Sequence, residues 1–457
     1  MKKTERKDTA IHICLLVIVT LLIVVPILTV FMEAVWDNGS INFSKFISTI
    51  MDSNNVETIT NSLLLGVCVI VLSTLIATPL AFLLARTRFA TKKWLDIVLM
   101  IPFMTPPYIS SMGWILFMQK RGLFQQMFPW TGNFSEGFFS LFGLTLVMSC
   151  HVFPFMMTIL KNAILNLGDK LEESAAVCGA GLFYRARKII FPLLTGNYAI
   201  GALLVFVKTL SEYGTPATLG KKFNFNVFTT DIHKFASTSP IDFGKAASLS
   251  SVLVGICLVM WFLQNYISSR HTYNIVGGKG AGGGHKKASK RVEVVGLVYI
   301  LIVILVAIGI PYFSVIVTSL MKLRGYGMRA GNFTLLHYAE LFTNNTKGLR
   351  AIGTSTVLAV VSATLTSVVG TLIVVFTRRN RKMDQIIRAG SVIPEMIPNI
   401  VLVIGLMLFW NKVYQYVPIY NTIWFMILTY SIMFLPYTIQ YVSSSLMQIG
   451  EGLISAG

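Results

Sequence analysis

The chain is written as long apolar runs separated by short polar and basic stretches. A helix rises about 1.5 Å per residue and the hydrocarbon core of a bilayer is about 30 Å thick, so roughly 20 successive apolar residues suffice to cross it. Ten runs meet that length, near residues 10–34, 57–85, 94–118, 140–162, 196–216, 246–267, 294–320, 351–376, 385–410 and 420–443. Runs this long predict an all-α fold, a polytopic transmembrane helical bundle. The composition, 54% hydrophobic and 12% charged over 457 residues, excludes a soluble protein that must cover its surface in charge.

The net charge of +19 raises the possibility of a nucleic-acid partner, but its distribution argues against one. Lys2, Lys3, Arg6 and Lys7 precede the first run; Arg86, Arg88, Lys92 and Lys93 follow the second; Arg185, Arg187 and Lys188 follow the fourth. Arg270, Lys279, Lys286, Lys287, Lys290 and Arg291 lie between the sixth and seventh, and Arg378, Arg379, Arg381 and Lys382 between the eighth and ninth. Basic residues in alternate loops mark the cytoplasmic side of a membrane protein. The partner is membrane lipid, with no nucleic acid, and the N-terminus is placed in the cytoplasm. Lys221, Lys222, Lys234, Lys322, Arg324 and Arg329 fall on the opposite side, among acids and in longer loops.

The run from Ile11 to Phe31 is long for a signal peptide and lacks a small-residue cleavage pattern, so it reads as an uncleaved first span. Cys14, Cys68, Cys150, Cys178 and Cys257 form no C-x-x-C pair and read as small core residues. His12, His151, His233, His271, His285 and His337 are widely spaced singles, which gives no metal site; His151 reads as a polar helix contact. Trp36, Trp94, Trp130 and Trp410 lie near span ends, where interfacial anchors belong. Gly278, Gly280 and Gly283 satisfy G-x-G-x-x-G only formally, because no strand precedes them and no suitably spaced acid follows. That glycine-rich, basic stretch reads instead as a cytoplasmic linker.

The linker separates two halves that repeat. Asn61-Ser62 matches Thr354-Ser355, and Arg86 and Arg88 match Arg379 and Arg381, at a spacing of 293 residues. With one deletion, Pro102 and Pro106 match Pro394 and Pro398; Phe153-Pro154 matches Leu435-Pro436. Prolines within spans free a carbonyl and are tolerated where neighbouring helices or a cavity satisfy it. The expected organisation is a first membrane domain at 1–270, a linker at 271–292 and a second membrane domain at 293–457. Counting onward places Ser455-Ala456-Gly457 opposite Glu173-Ser174-Ala175, so the second half is expected to stop after four spans, inside its own copy of that loop.

Residues 173–192 are a polar, basic interruption: Glu173-Ser174-Ala175, three residues, Gly179, nine residues, then Ile189-Ile190-Phe191-Pro192. This spacing resembles the EAA loop of ABC importer permeases, EAA-x3-G-x9-I-x-L-P, with Ser174 for the first Ala and Phe191 for Leu. Pro102-Phe103-Met104-Thr105-Pro106-Pro107-Tyr108-Ile109, Ser211-Glu212-Tyr213-Gly214-Thr215-Pro216 and Asp242-Phe243-Gly244-Lys245-Ala246-Ala247 resemble segments of ferric iron importer permeases. Permeases for 2-aminoethylphosphonate, thiamine and polyamines share the fold.

The resemblance implies two tandem six-span, type I (MetI-like) permease units, the second incomplete, in a bacterial plasma membrane. It implies a translocation pathway without chemistry of its own, so the chain is not an enzyme. ATP and Mg belong to a separate ABC ATPase dimer, and a solute-binding protein outside the membrane delivers ferric iron. Glu173, Ser174, Ala175, Gly179, Ile189 and Pro192 would carry the ATPase-coupling loop. Pro102, Pro106, Pro107, Glu212, Pro394, Glu395 and Pro398 are the candidate pathway, because acids inside spans usually face a cavity or a partner; Glu212 could equally pair with Lys208 one turn earlier. A secondary transporter would also show repeats and a basic central loop, but has no need for the loop at 173–192. A membrane hydrolase lacks its motifs, H-E-x-x-H and G-x-S-x-G.

Overall fold

The computed structural model describes residues 13–37, 39–167, 174–270, 290–343, 346–377, 394 and 397–448, apart from 14, 16, 19 and 176. The apolar runs are helices: α1 Thr20–Val35, α2 Ser53–Arg86, α3 Lys93–Met104, α4 Pro107–Met118, α5 Leu141–Asn166, α6 Phe191–Ser211, α7 Phe243–Arg270, α8 Lys290–Ser319, α9 Thr346–Thr377, α10 Asn399–Lys412 and α11 Ile423–Gln448. Seven described helices are long and apolar enough to cross a membrane. The polytopic helical bundle is therefore the fold, and the chain is a multi-pass membrane protein.

One expected span is not a straight helix. The run at 94–118 is broken into α3 and α4, which meet at 87°. The cause is local. Pro106 and Pro107 supply no N–H, and a residue before proline is pushed out of the helical region; Thr105 accordingly sits at φ −77°, ψ 129° and Pro106 at φ −54°, ψ 128°. Hydropathy is blind to this break, because the residues on both sides remain apolar.

The repeat reaches the level of geometry. Helices α5 and α11 are each 26 residues long, and each carries its proline, Pro154 or Pro436, at the fourteenth position. Pro398 starts α10 at φ −54°, ψ 131°, as Pro106 starts α4. A π turn at Thr20–Val24 precedes Pro26 in α1, and a π turn at Leu305–Gly309 precedes Pro311 in α8.

The described helices gather into two compact units that cut across the order of the chain. Unit 1 comprises residues 1–56, 231–258 and 338–457. In it α9 lies along α11, with the Ser362 hydroxyl 3.4 Å from the Ile427 carbonyl. There too α1 packs on α10, where the Lys412 ammonium is 2.7 Å from the Glu33 carboxylate. Unit 2 comprises residues 57–230 and 259–337. Its core is built on α5, which buries Leu144, Met148, Phe153, Met156 and Leu160. Around it stand α3, α4, α6 and α8.

Both units contain the same close contact. A β-carbon at Gly113 of α4 would lie 2.5 Å from the Pro311 carbonyl oxygen of α8, and one at Gly405 of α10 would lie 2.5 Å from that of Pro26 in α1. Small residues let helix backbones approach within lipid, where dispersion and not the hydrophobic effect holds helices together. In each unit the opening helix of one sequence half is thus seated on the post-proline helix of the other. Several hydroxyls inside the spans bond the carbonyl one turn earlier, as Ser62 that of Thr58 at 2.7 Å and Thr366 that of Ser362 at 2.6 Å.

Candidate coupling loop and translocation segment

The loop that interrupts the apolar pattern folds as a helical turn, a reversal and a second helical turn. Ser174 and Ala175 lie in the first turn, where the Cys178 N–H donates to the Ser174 carbonyl at 3.2 Å. The Ala180 N–H reaches back to the Ala175 carbonyl at 3.0 Å, with Gly179 at φ +80° between them. This six-to-one bond across a left-handed residue is a Schellman C-cap, a position glycine fills at least cost. The chain then enters the short helix Leu182–Arg185 and a π turn at Ala186–Ile190, which carries Ile189. Pro192 sits in the first turn of α6, where its missing N–H is not needed.

Ser174, Gly179 and Pro192 are exposed, while Ala175 and Ile189 are half-buried. Val177 is 88% exposed, beside the exposed free thiol of Cys178, and Tyr184 is also exposed. An apolar tip held on a rigid reversal is what a groove-bound partner helix needs. Glu173 lies outside the described residues.

Of the candidate pathway, unit 2 holds Pro102, Pro106, Pro107 and Glu212. Pro102 is buried in α3, and its carbonyl lies 2.8 Å from Nδ1 of His151 on α5. His151 is thus a helix-to-helix contact. At the break the Thr105 hydroxyl bonds the Ile101 carbonyl and the Tyr312 hydroxyl, both at 2.8 Å, which occupies polar groups that the bend would expose. Glu212 ends α6. Its carboxylate accepts the Thr215 N–H at 3.0 and 3.2 Å, and its carbonyl accepts the Thr229 hydroxyl at 2.7 Å. Lys208 lies over the Phe155 ring at 5.7 Å. In unit 1, Pro394 and Pro398 are both buried, and Glu395 lies outside the described residues.

Three interactions had no counterpart in the sequence pattern. Lys161 of α5 holds Asp96 of α3 at 2.6 Å, Arg88 holds Glu293 of α8 at 3.1 Å, and the Arg86 guanidinium donates to the Ile164 carbonyl at 3.1 Å. All three fasten the helix ends of unit 2 on the side from which the loop projects. The repeat spacing that relates Pro106 to Pro398 also relates Gly113 to Gly405, but it does not say which helix each glycine faces. Among the described residues no group of three or more His, Cys, Asp or Glu is placed to hold a metal ion. Trp36, Trp94 and Trp130 are exposed near helix ends, and Trp410 is half-buried.

Residues 77–273 match the family described as "Binding-protein-dependent transport system inner membrane component". That stretch is thus similar to the inner-membrane component of binding-protein-dependent transport systems. Within that class the chain is similar to the ferric transport system permease protein FbpB of Actinobacillus pleuropneumoniae, 25% identical over 269 residues, 58% of this chain and 39% of that protein. It is also similar to the Fe(3+)-transport system permease protein FbpB 2 of Haemophilus influenzae, 23% identical over 451 residues, 97% of this chain and 80% of the relative. The sulfate transport system permease protein CysT of Escherichia coli is 23% identical over 199 residues, 43% of this chain and 71% of that protein. The chain spans 39% of the length of the first of these relatives.

Proposed function

We propose that this chain is the permease of an ATP-driven importer in a bacterial plasma membrane. It passes ferric iron, delivered by an extracytoplasmic solute-binding protein, and couples to a separate ATPase dimer through residues 173–192. The observation that carries the coupling is the loop itself, an exposed helix, Gly179 reversal and helix whose tip presents Val177 and Tyr184. That shape suits helix-in-groove recognition, with Glu173 as a rim contact that orients docking. ATP and Mg reside on the partner and supply the hydrolysis; this chain's residues transmit the change. ATP and the loaded binding protein must favour the same outward-facing state, since a ligand that binds two states equally shifts neither.

The iron reading rests on the similarity to the two ferric permeases and on the segments around Pro102, Glu212 and Asp242. The domain reading, 1–270 and 293–457 joined by a linker at 271–292, is supported by the repeated helix lengths and prolines, and a cytoplasmic N-terminus by the basic residues of alternate loops. Glu212 and Glu395, each beside the paired prolines, are proposed to keep the pathway tolerant of cations. Uptake in a strain lacking this chain tests the substrate. Loss of ferric uptake, restored by the chain only when its ATPase is present, supports the reading; intact ferric uptake with loss of sulfate, thiamine, spermidine or 2-aminoethylphosphonate uptake overturns the iron assignment, and uptake that survives loss of the ATPase overturns the coupling. Full ferric uptake by the Glu212→Gln/Glu395→Gln double variant would remove the pathway role.

A further inference from the structure

Helix α8 begins with two unlike faces. Glu293, Gly296, Ile300 and Val303 are buried against the protein, at the spacing of one helix stripe. Around the other side Val294, Val295, Val298, Leu301 and Ile302 are exposed, and all are aliphatic. An exposed aliphatic stripe on a helix long enough to cross a membrane meets lipid chains. At the head of the stripe stand Lys290 and Arg291, both exposed.

This head is locked to the turn that joins α2 to α3. Arg88 holds Glu293 at 3.1 Å, the Tyr299 hydroxyl donates to the Ile76 carbonyl at 3.0 Å, and a β-carbon at Gly296 would lie 2.6 Å from Leu83 and 3.3 Å from the Phe89 ring. The turn is itself fixed. The Thr87 hydroxyl donates to the Leu83 carbonyl at 2.6 Å and accepts the Phe89 N–H at 3.3 Å, and the Lys92 N–H closes on the Phe89 carbonyl at 2.9 Å. Lys92, Lys93 and Trp94, all exposed, follow Arg88 closely in the chain, as Lys290 and Arg291 closely precede Glu293. The two acids on these segments are both engaged, Glu293 by Arg88 and Asp96 by Lys161 at 2.6 Å. Among the described residues, Lys92, Lys93, Lys290 and Arg291 are in no ion pair.

We propose that this corner of unit 2 binds an anionic phospholipid, its phosphate headgroup held by Lys92, Lys93, Lys290 and Arg291 and one acyl chain laid along the aliphatic stripe of α8. Lys and Arg at a membrane surface attract anionic lipid, and the stripe adds apolar contact that a soluble anion cannot use. A soluble acidic partner would leave the stripe uncovered. Trp94 lies where an indole anchors at the boundary between headgroups and chains. Basic residues that only mark one side of a membrane need neither a locked scaffold nor an acyl seat beside them. The site stands apart from the coupling loop, and it does not depend on which solute is carried.

The test uses the full chain purified in neutral detergent and titrated with phosphatidylglycerol or phosphatidylcholine whose brominated acyl chains quench nearby indoles. The signal is the part of the quenching that Trp94→Phe removes. Phosphatidylglycerol should half-saturate it at a concentration at least about fivefold below that of phosphatidylcholine, and raising salt from about 50 to about 300 mM should narrow the gap. Lys92→Gln/Lys93→Gln/Lys290→Gln/Arg291→Gln should weaken the phosphatidylglycerol response about tenfold and leave that of phosphatidylcholine within about twofold, which also shows that the variant is folded. Lys221→Gln/Lys222→Gln, which removes two exposed cations beyond α6, should shift neither lipid by more than about twofold. Equal quenching by the two lipids, a gap indifferent to salt, an unshifted response in the four-residue variant, or an equal loss in the Lys221→Gln/Lys222→Gln variant each overturns the proposal. So does displacement of the lipid by an equal concentration of inorganic phosphate, which would mark a site for the anion alone. The headgroup and salt comparisons use wild type and stand whether or not the four-residue variant folds.

Discussion

Gly113→Ala tests the packing logic of the fold. The added β-carbon would meet three backbone atoms of α8, at 2.5 Å from the Pro311 carbonyl oxygen, 2.6 Å from its Cα and 2.8 Å from its carbonyl carbon. Ordinary contacts of this kind lie near 3.5 to 4 Å, so α4 and α8 must part by about 1 Å, and no side-chain rotation can relieve the overlap. Overpacking of this kind costs about 1–3 kcal/mol. The loss should exceed the methyl clash alone, because separated helices also forfeit contacts along their length. The measurement is a denaturant titration of the detergent-solubilised protein, with Gly255→Ala as the reference. Gly255 is exposed on α7 and has nothing within 4 Å of its added β-carbon, so that variant should stay within about 0.5 kcal/mol of wild type. Gly405→Ala, aimed at the Pro26 carbonyl, should match Gly113→Ala in sign. If Gly113→Ala and Gly255→Ala unfold alike, close helix approach at this point is not what holds α4 to α8.

Gly179→Val should strain the left-handed reversal by about 1–2 kcal/mol and reduce ATPase copurification while the spans remain folded; unchanged copurification would remove Gly179 from the coupling reading. Asp96→Asn leaves the Lys161 ammonium, itself only 19% exposed, without its 2.6 Å partner, and a double-mutant cycle on the pair should report a coupling of about 1 kcal/mol; a coupling below about 0.3 kcal/mol would show the pair to be incidental. Glu212→Gln keeps an acceptor for the Thr215 N–H and should preserve stability, whereas Glu212→Ala should lose about 1–2 kcal/mol. Equal stability of those two variants would contradict a stabilising bond from the Thr215 N–H to the Glu212 carboxylate.

What was legible in the sequence follows from what each pattern encodes. Apolar length reports depth in lipid, so α2 at Ser53–Arg86 and α9 at Thr346–Thr377 lie where the runs at 57–85 and 351–376 put them. Gly179 was legible because a reversal between two helical turns demands a left-handed residue, and the proline repeat because it is periodic along the chain. The 87° bend escaped, since Pro106-Pro107 signals a helix end but not the direction of the next helix. Neighbour choice escaped as well. Seating α1 on α10 and α8 on α4 depends on Gly405 and Gly113, each a single missing methyl group within otherwise interchangeable apolar faces. The pairs at Asp96 and Arg88 join residues distant in sequence, and charge distribution alone gives no more than an expected side of the membrane for them.

The most direct test of the coupling claim is photocross-linking from the loop tip. With Val177→p-benzoylphenylalanine in membranes that contain the assembled transporter, illumination should yield one major adduct, the ATPase subunit, whose amount changes when ATP is bound. A transporter that takes up iron yet gives no ATPase adduct from position 177, with or without ATP, would contradict the account.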